Sequence, residues 1–116
     1  RPTAILAAND QMAIATIRAA HQLGLRVPED LSVVGFDNIE LASYMSPALT
    51  TMGLPLYRMG VAAAETAIRL LAGTPGNEEA WFTPELIVRE STGPPPVVAD
   101  RTIQPRQGPG SKGRDA

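Results

Sequence analysis

The sequence predicts an α/β fold in which short buried strands lie parallel and a helix crosses between them. Three observations carry that reading. Residues 3–7, "TAILA", are an apolar run of strand length. Residues 9–24, "NDQMAIATIRAAHQLG", supply a capping residue, a helical apolar period and a terminal glycine. Residues 31–36, "LSVVGF", are a second apolar run that stops abruptly at Asp37 and Asn38. Strand, helix and strand within about 33 residues match the length of one βαβ unit. Its crossover is right-handed almost without exception and makes the two strands parallel.

Each element has a local cause. Asn9 is a favoured N-cap, and Asp10 places a negative charge in the first turn, where the helix dipole welcomes it. Ala13, Ile17, Ala20 and Gly24 recur at helical spacing, with Ile14 and Leu23 beside them. This predicts a helix over 10–23, closed by Gly24 in the left-handed conformation. "RVPED" is a turn, in which Pro28 stops any helix and Glu29 and Asp30 are expected to be solvated. The run 31–36 is apolar except for Ser32, as suits a strand covered on both faces. "IELASYMSP" has room for a helical turn or two before Pro47 ends it. "ALTTM", 48–52, is a third strand candidate, and "GLP", 53–55, a crossing segment. A second helix is predicted over 56–72, with Met59, Ala63, Ala67 and Leu70 as its apolar stripe and Gly73 as its stop. "GTPGNEE", 73–79, reads as a surface loop, and 86–88 within "ELIVRES" as strand. From Gly93 onward the chain is dense in Pro and Gly without an apolar period, so 94–116 is expected to be a disordered tail behind a domain at 1–93.

Topology then points to a site. Parallel neighbours end on the same edge of a sheet, so Asn9 and Asp37 are expected to emerge together, and ligands of open α/β sheets bind at that carboxyl edge. An apolar strand ending in polar side chains is a strand that reaches a cleft.

Composition narrows the chemistry. The 116 residues suffice for one small domain, and with 44% hydrophobic but only 4% aromatic residues its core must be aliphatic. The absence of cysteine excludes disulfides and thiolate metal sites. No apolar stretch approaches the ~20 residues of a membrane span. The chain opens on Arg1 without a signal peptide or an initiating methionine, which suggests part of something longer. Residues 1–93 carry six Arg against ten Asp and Glu, a net of −4, and make a poor grip for a phosphate backbone. The remainder carries three Arg and one Lys against two Asp, a net of +2.

Catalytic and cofactor motifs are missing. No G-x-G-x-x-G, Walker loop or G-x-S-x-G elbow occurs, so no nucleotide cofactor is expected. His21 is the sole histidine, too few for a metal site, and reads as a polar residue at a helix edge. Asp37 and Glu40 could be a catalytic carboxylate pair, but share one short loop with no nucleophile near; ligand-bonding or solvated carboxylates is the better reading. Asn9 needs no role beyond capping, and only its convergence with Asp37 raises a functional one. Trp81 and Phe82 could stack on a sugar ring, yet beside a loop they are expected rather to pin it to the body.

Three separated segments carry a family resemblance: "PTAILAANDQMAIATIRAAHQLGLRVPEDLSVVGFDN", "SPALTTMGLPLYRMGVAAAE" and "PELIVREST". Over residues 2 to about 93 the chain resembles the C-terminal part of the lactose-repressor family of bacterial transcription regulators. In that family a helix-turn-helix headpiece binds operator DNA, and a two-lobed core like the periplasmic sugar-binding proteins (type I) binds a small effector. The resemblance implies a cytoplasmic homodimeric parent protein without catalytic activity, cofactor or metal. It implies that the small-molecule effector is a sugar, that Asn9 and Asp37 hydrogen-bond its hydroxyls, and that Leu54 and Leu56 line the cleft. It also implies that "TTM" passes between lobes, that the helix from Leu56 belongs to the other lobe, and that "ELIVRE" returns to the first. Leu54 replaces the glutamine usual at its position. Ile14, Arg18, Leu41, Tyr44 and Met45 match positions used for dimerisation. A periplasmic sugar receptor for transport shares the fold and is the alternative; an enzyme on an α/β sheet is the third reading, disfavoured by the missing motifs.

Overall fold

Strands β1 (Ala4–Leu6), β2 (Ser32–Asp37), β3 (Thr50–Gly53) and β4 (Glu85–Ile87) form one sheet in chain order. This is seen in a computed structural model that describes residues 2–74 and 80–96. The expected loop at 75–79 and the tail beyond 96 lie outside the described residues. Between the strands run α1 (Asp10–Gln22), the single turn α2 (Leu41–Tyr44) and α3 (Leu56–Leu71). The first three strands are parallel, with Leu6 opposite Val34 and Val34 opposite Thr50. β4 is antiparallel to β3, placing Glu85 opposite Gly53 and Ile87 opposite Thr51. The sequence reading of a parallel α/β sheet holds for β1–β3, while β4 departs from it as an antiparallel edge strand. Strand ends are displaced by a residue or two. β2 is the notable case, because it takes in Asp37 rather than stopping at Phe36.

The helical period of α1 becomes the core. Ala13, Ile17 and Ala20 are buried against the sheet, joined by Val27, Leu31, Val33, Ala42 and Leu49. Alanines at two of the three helix positions let the axis approach β2 closely, and Ile17 fills the space between them. Burying an isoleucine completely stabilises by about 1.5–3 kcal/mol. Both ends of α1 close as the sequence requires. Asn9 Oδ1 accepts the Met12 N–H at 2.8 Å. Beyond the other end Leu25 N–H donates to Ala20 O at 2.9 Å and Gly24 N–H to His21 O at 3.0 Å, with Gly24 at φ +74°. This pair of bonds satisfies carbonyls that the helix leaves open. Gly24→Ala is expected to lower stability by about 1 kcal/mol. An added Cβ would meet nothing within 4 Å, so the cost is one of backbone alone, read as a shifted urea midpoint without a changed slope.

The turn after α1 corrects one expectation. Asp30 is not merely solvated: its carboxylate takes Arg26 Nε at 2.7 Å, Nη2 at 2.9 Å and the Arg26 backbone N–H at 2.9 Å. At the other end of the chain, residues 90–93 run across the amino ends of β2 and β3. The fully buried Ser91 hydroxyl donates to Val33 O at 2.6 Å and accepts the Thr50 N–H at 2.8 Å. Gly93 N–H reaches Ser32 Oγ at 3.1 Å. Those bonds make "REST" a strap that ties β4 back across its neighbours.

α3 forms where its period predicts and ends, like α1, at a glycine of positive φ, Gly73 at +73°. Its stripe does not pack as expected. Met59 is half-buried, but Ala63, Ala67 and Leu70 are exposed and no residue of α3 is buried. The half-buried positions are instead Met59, Ala62, Thr66 and Arg69, a stripe at helical spacing rotated from the expected one. The register explains the position: β3 leaves the sheet at its carboxyl edge, and β4 re-enters at the same edge, opposite Gly53. The chain thus leaves the sheet after Gly53 and re-enters it at Glu85 on the same, carboxyl edge.

Candidate functional site

The carboxyl edge is assembled from four chain segments. Leu6 and Val34 are register partners; three residues further along the chain stand Asn9, the N-cap of α1, and Asp37, the last residue of β2. Both therefore lie beyond the last register pair of β1 and β2, on the carboxyl side of the sheet. Asp37 itself pairs with Gly53 of β3. Among the described residues no hydrogen bond engages the Asp37 carboxylate, so its acceptor sites remain open. Asn9 is half committed: Oδ1 is taken by the Met12 N–H, and the amide nitrogen is left to donate.

Beneath this edge sits a residue that sequence reasoning placed but misjudged. Asp10, expected only as a first-turn charge, is fully buried. Its Oδ1 accepts the Thr51 hydroxyl at 2.5 Å and its Oδ2 the Ile39 N–H at 2.8 Å. The Thr51 oxygen in turn accepts the Asn38 N–H at 3.3 Å. A buried carboxylate is tolerable only with such donors, and hydrogen bonds to a charged group contribute about 1.5–3 kcal/mol each. The network has a packing condition: a Cβ at Gly35 would lie 2.1 Å from Asp10 Oδ1. Glycine inside an apolar strand run commonly marks a close approach, and that signal was present in "VVGFD".

The backbone over the site is unusual. Asp37 and Asn38, neither of them glycine, have φ of +115° and +54°. Asn and Asp enter the left-handed region more readily than other residues, but +115° lies outside even that. Asn38 Oδ1 accepts Arg89 Nη2 at 2.8 Å. Nothing in the sequence beside Arg89 points to this contact, which joins residues 51 apart.

A cleft of about 480 Å³ opens beside the loop, lined by Asn38, Leu54, Arg58, Trp81, Phe82 and Glu85 among others. Leu54 lies in it as expected. Asn9, Asp37 and Leu56 are not among its lining residues; Leu56 stands 58% exposed in the first turn of α3. Trp81 corrects the expectation that it pins its loop: it is 86% exposed at the cleft rim, while Phe82 is half-buried. A second groove, of about 540 Å³, runs along α1 and is lined by Ile14, Arg18 and His21 together with Met45. Leu41 and Tyr44, the other candidate dimer residues, do not line it but are exposed on the adjacent α2. Among the described residues no cluster of His, Asp or Glu is arranged to hold a metal ion, and no helix is long and apolar enough to cross a membrane.

Comparison with known proteins bears on this architecture. The model of the periplasmic binding protein-like domain matches residues 1–92. The chain belongs to that family. The HTH-type transcriptional regulator MalR of Streptomyces coelicolor is 50% identical to this periplasmic binding protein-like domain over 95 residues, covering 81% of the chain and 28% of MalR. The lac repressor dimer bound to operator and the anti-inducer ONPF superimposes with a TM-score of 0.72 at 37% identity, over 78% of this chain and 32% of that one. A LacI family regulator from Enterococcus faecium, with bound ribose, gives a TM-score of 0.72 at 32% identity, over 79% of this chain and 35% of that one. The chain thus spans about a third or less of these relatives, and the resemblance to the lactose-repressor family is upheld.

Proposed function

We propose that this domain is the effector-sensing part of a DNA-binding transcription regulator of carbohydrate metabolism, with a sugar as effector. The observation that carries the reading is the Asp37 carboxylate, unengaged by any described residue and set at the carboxyl edge of a parallel sheet. A carboxylate there can accept two vicinal hydroxyls, and the Asn9 amide nitrogen can donate to a third oxygen. Leu54, which lines the cleft, offers apolar contact to a ring face. The regulators above support the assignment, since one carries ribose and another is a repressor on its operator.

Operator contact falls to a headpiece outside these residues, as the net charge of −4 over 1–93 suits sensing better than gripping DNA. The groove lined by Ile14, Arg18 and Met45, with Leu41 and Tyr44 beside it, is the surface through which two copies pair. The protein acts by binding rather than catalysis, in the cytoplasm. The domain ends at about residue 93, a boundary supported by the family match ending at residue 92. Titration calorimetry of the full-length regulator against pentoses, hexoses and disaccharides tests the proposal. Saturable binding of one sugar that also alters operator retention in a gel-shift assay is the expected result. Indifference to every sugar in the panel would overturn the effector class.

A further inference from the structure

We infer that Arg89 is a positioning residue for the effector-binding carboxylate, holding the loop after β2 in the conformation that aims Asp37; this rests on the function proposed above. Two consecutive residues at positive φ do not stay there unaided. Strained backbone of this kind persists only where its surroundings over-determine it. On the inner side of the loop the anchors are Thr51 Oγ1, which accepts the Asn38 N–H, and Asp10, which accepts the Ile39 N–H. On the outer side the anchor is Arg89. Its Nη2 donates to Asn38 Oδ1 at 2.8 Å, its Nη1 to Leu49 O at 2.8 Å and its backbone N–H to Thr50 Oγ1 at 2.9 Å.

The arrangement is a clamp rather than a chance contact. The guanidinium is a planar fork with its donors in fixed geometry. One prong is fixed to the main chain just before β3, and the other grips the side chain next to Asp37. The loop is thereby referenced to β3 and β4 together, the two strands whose ends meet the cleft. A lysine has one ammonium and cannot span both acceptors in the same geometry. Without the clamp, Asn38 loses its outer tether, Asp37 samples other orientations, and the ligand must restore the productive one.

The test uses the full-length protein. In calorimetry with the sugar panel, Arg89→Ala is expected to weaken binding roughly tenfold, and Arg89→Lys to fall nearer to Ala than to wild type. In an Asp37→Asn background, which keeps the shape of the side chain but not its charge, Arg89→Ala should change affinity less than twofold, roughly, because no carboxylate remains to be aimed. Equal weakening in both backgrounds would mean general loosening and would overturn the inference, as would wild-type affinity in Arg89→Ala. Hydrogen exchange decides the matter without any ligand. The Asn38 and Ile39 amides should exchange faster in Arg89→Ala while the Val33 amide does not; acceleration at all three, or at none, refutes the clamp. A wild-type protein that binds no sugar in the panel counts against the proposed effector, and the exchange result still stands for or against Arg89.

Discussion

Gly35→Ala should lower the stability of the domain by about 3–5 kcal/mol, enough to unfold most of a population of ordinary marginal stability. The new methyl would be placed 2.1 Å from Asp10 Oδ1 and 3.0 Å from Leu49 Cδ2. Neither neighbour can yield cheaply. Leu49 is fully buried, and the Asp10 carboxylate is pinned between the Thr51 hydroxyl and the Ile39 N–H. Displacing it strands a buried charge and two donors together, which costs more than the overlap itself. Urea unfolding followed by circular dichroism measures the loss. Combination with Asp10→Ala discriminates the cause: that substitution alone is also strongly destabilising, but it vacates the space the methyl needs. The double variant should therefore be several-fold less damaged than additivity predicts. Simple additivity, or an unshifted midpoint in Gly35→Ala, would show that the carboxylate does not occupy this position.

What could be read in the sequence and what could not divide along the range of the interactions. Asn9, the Ala13–Ile17–Ala20 period and Gly24 act within a few residues of one another, and the helix they predict is present with both its caps. The parallel edge of the sheet was legible for a related reason, since one crossover fixes which strand ends lie together. Asp10 illustrates the limit. Its partners are 29 and 41 residues away, so nothing beside it distinguishes a dipole charge from a buried keystone. Gly35 alone signalled the close approach, though not which group approached. Arg89 is 51 residues from Asn38 and lies just beyond the run 86–88 that reads as strand. In α3 the apolar period revealed the helix but not its partner, because amphipathicity records that a face is to be covered and not by what. Trp81 failed differently: an aromatic beside a loop is usually an anchor, and here it stands in solvent at the cleft rim.

Asp37→Ala is expected to abolish the effector response of the full-length regulator while leaving operator binding intact. A carboxylate that accepts two sugar hydroxyls contributes charge-assisted hydrogen bonds of about 1.5–3 kcal/mol each. Their joint loss weakens binding by roughly a hundredfold or more, which places the effector out of reach at working concentrations. The fold should survive, for the Asp37 side chain is only half-buried and no described hydrogen bond depends on it. Removing it also replaces one side chain by another at φ +115°, so backbone strain is left nearly as it was. This separates the variant from Gly35→Ala, in which the same loop would fail through its foundation. Two measurements on one preparation check the argument. Calorimetry with the cognate sugar should show no saturable heat, and a gel-shift titration with operator should match wild type. Unchanged sugar affinity would remove Asp37 from the site. Loss of both activities would mean instead that Asp37 holds the structure, and that the open carboxylate at the sheet edge is not what the ligand meets.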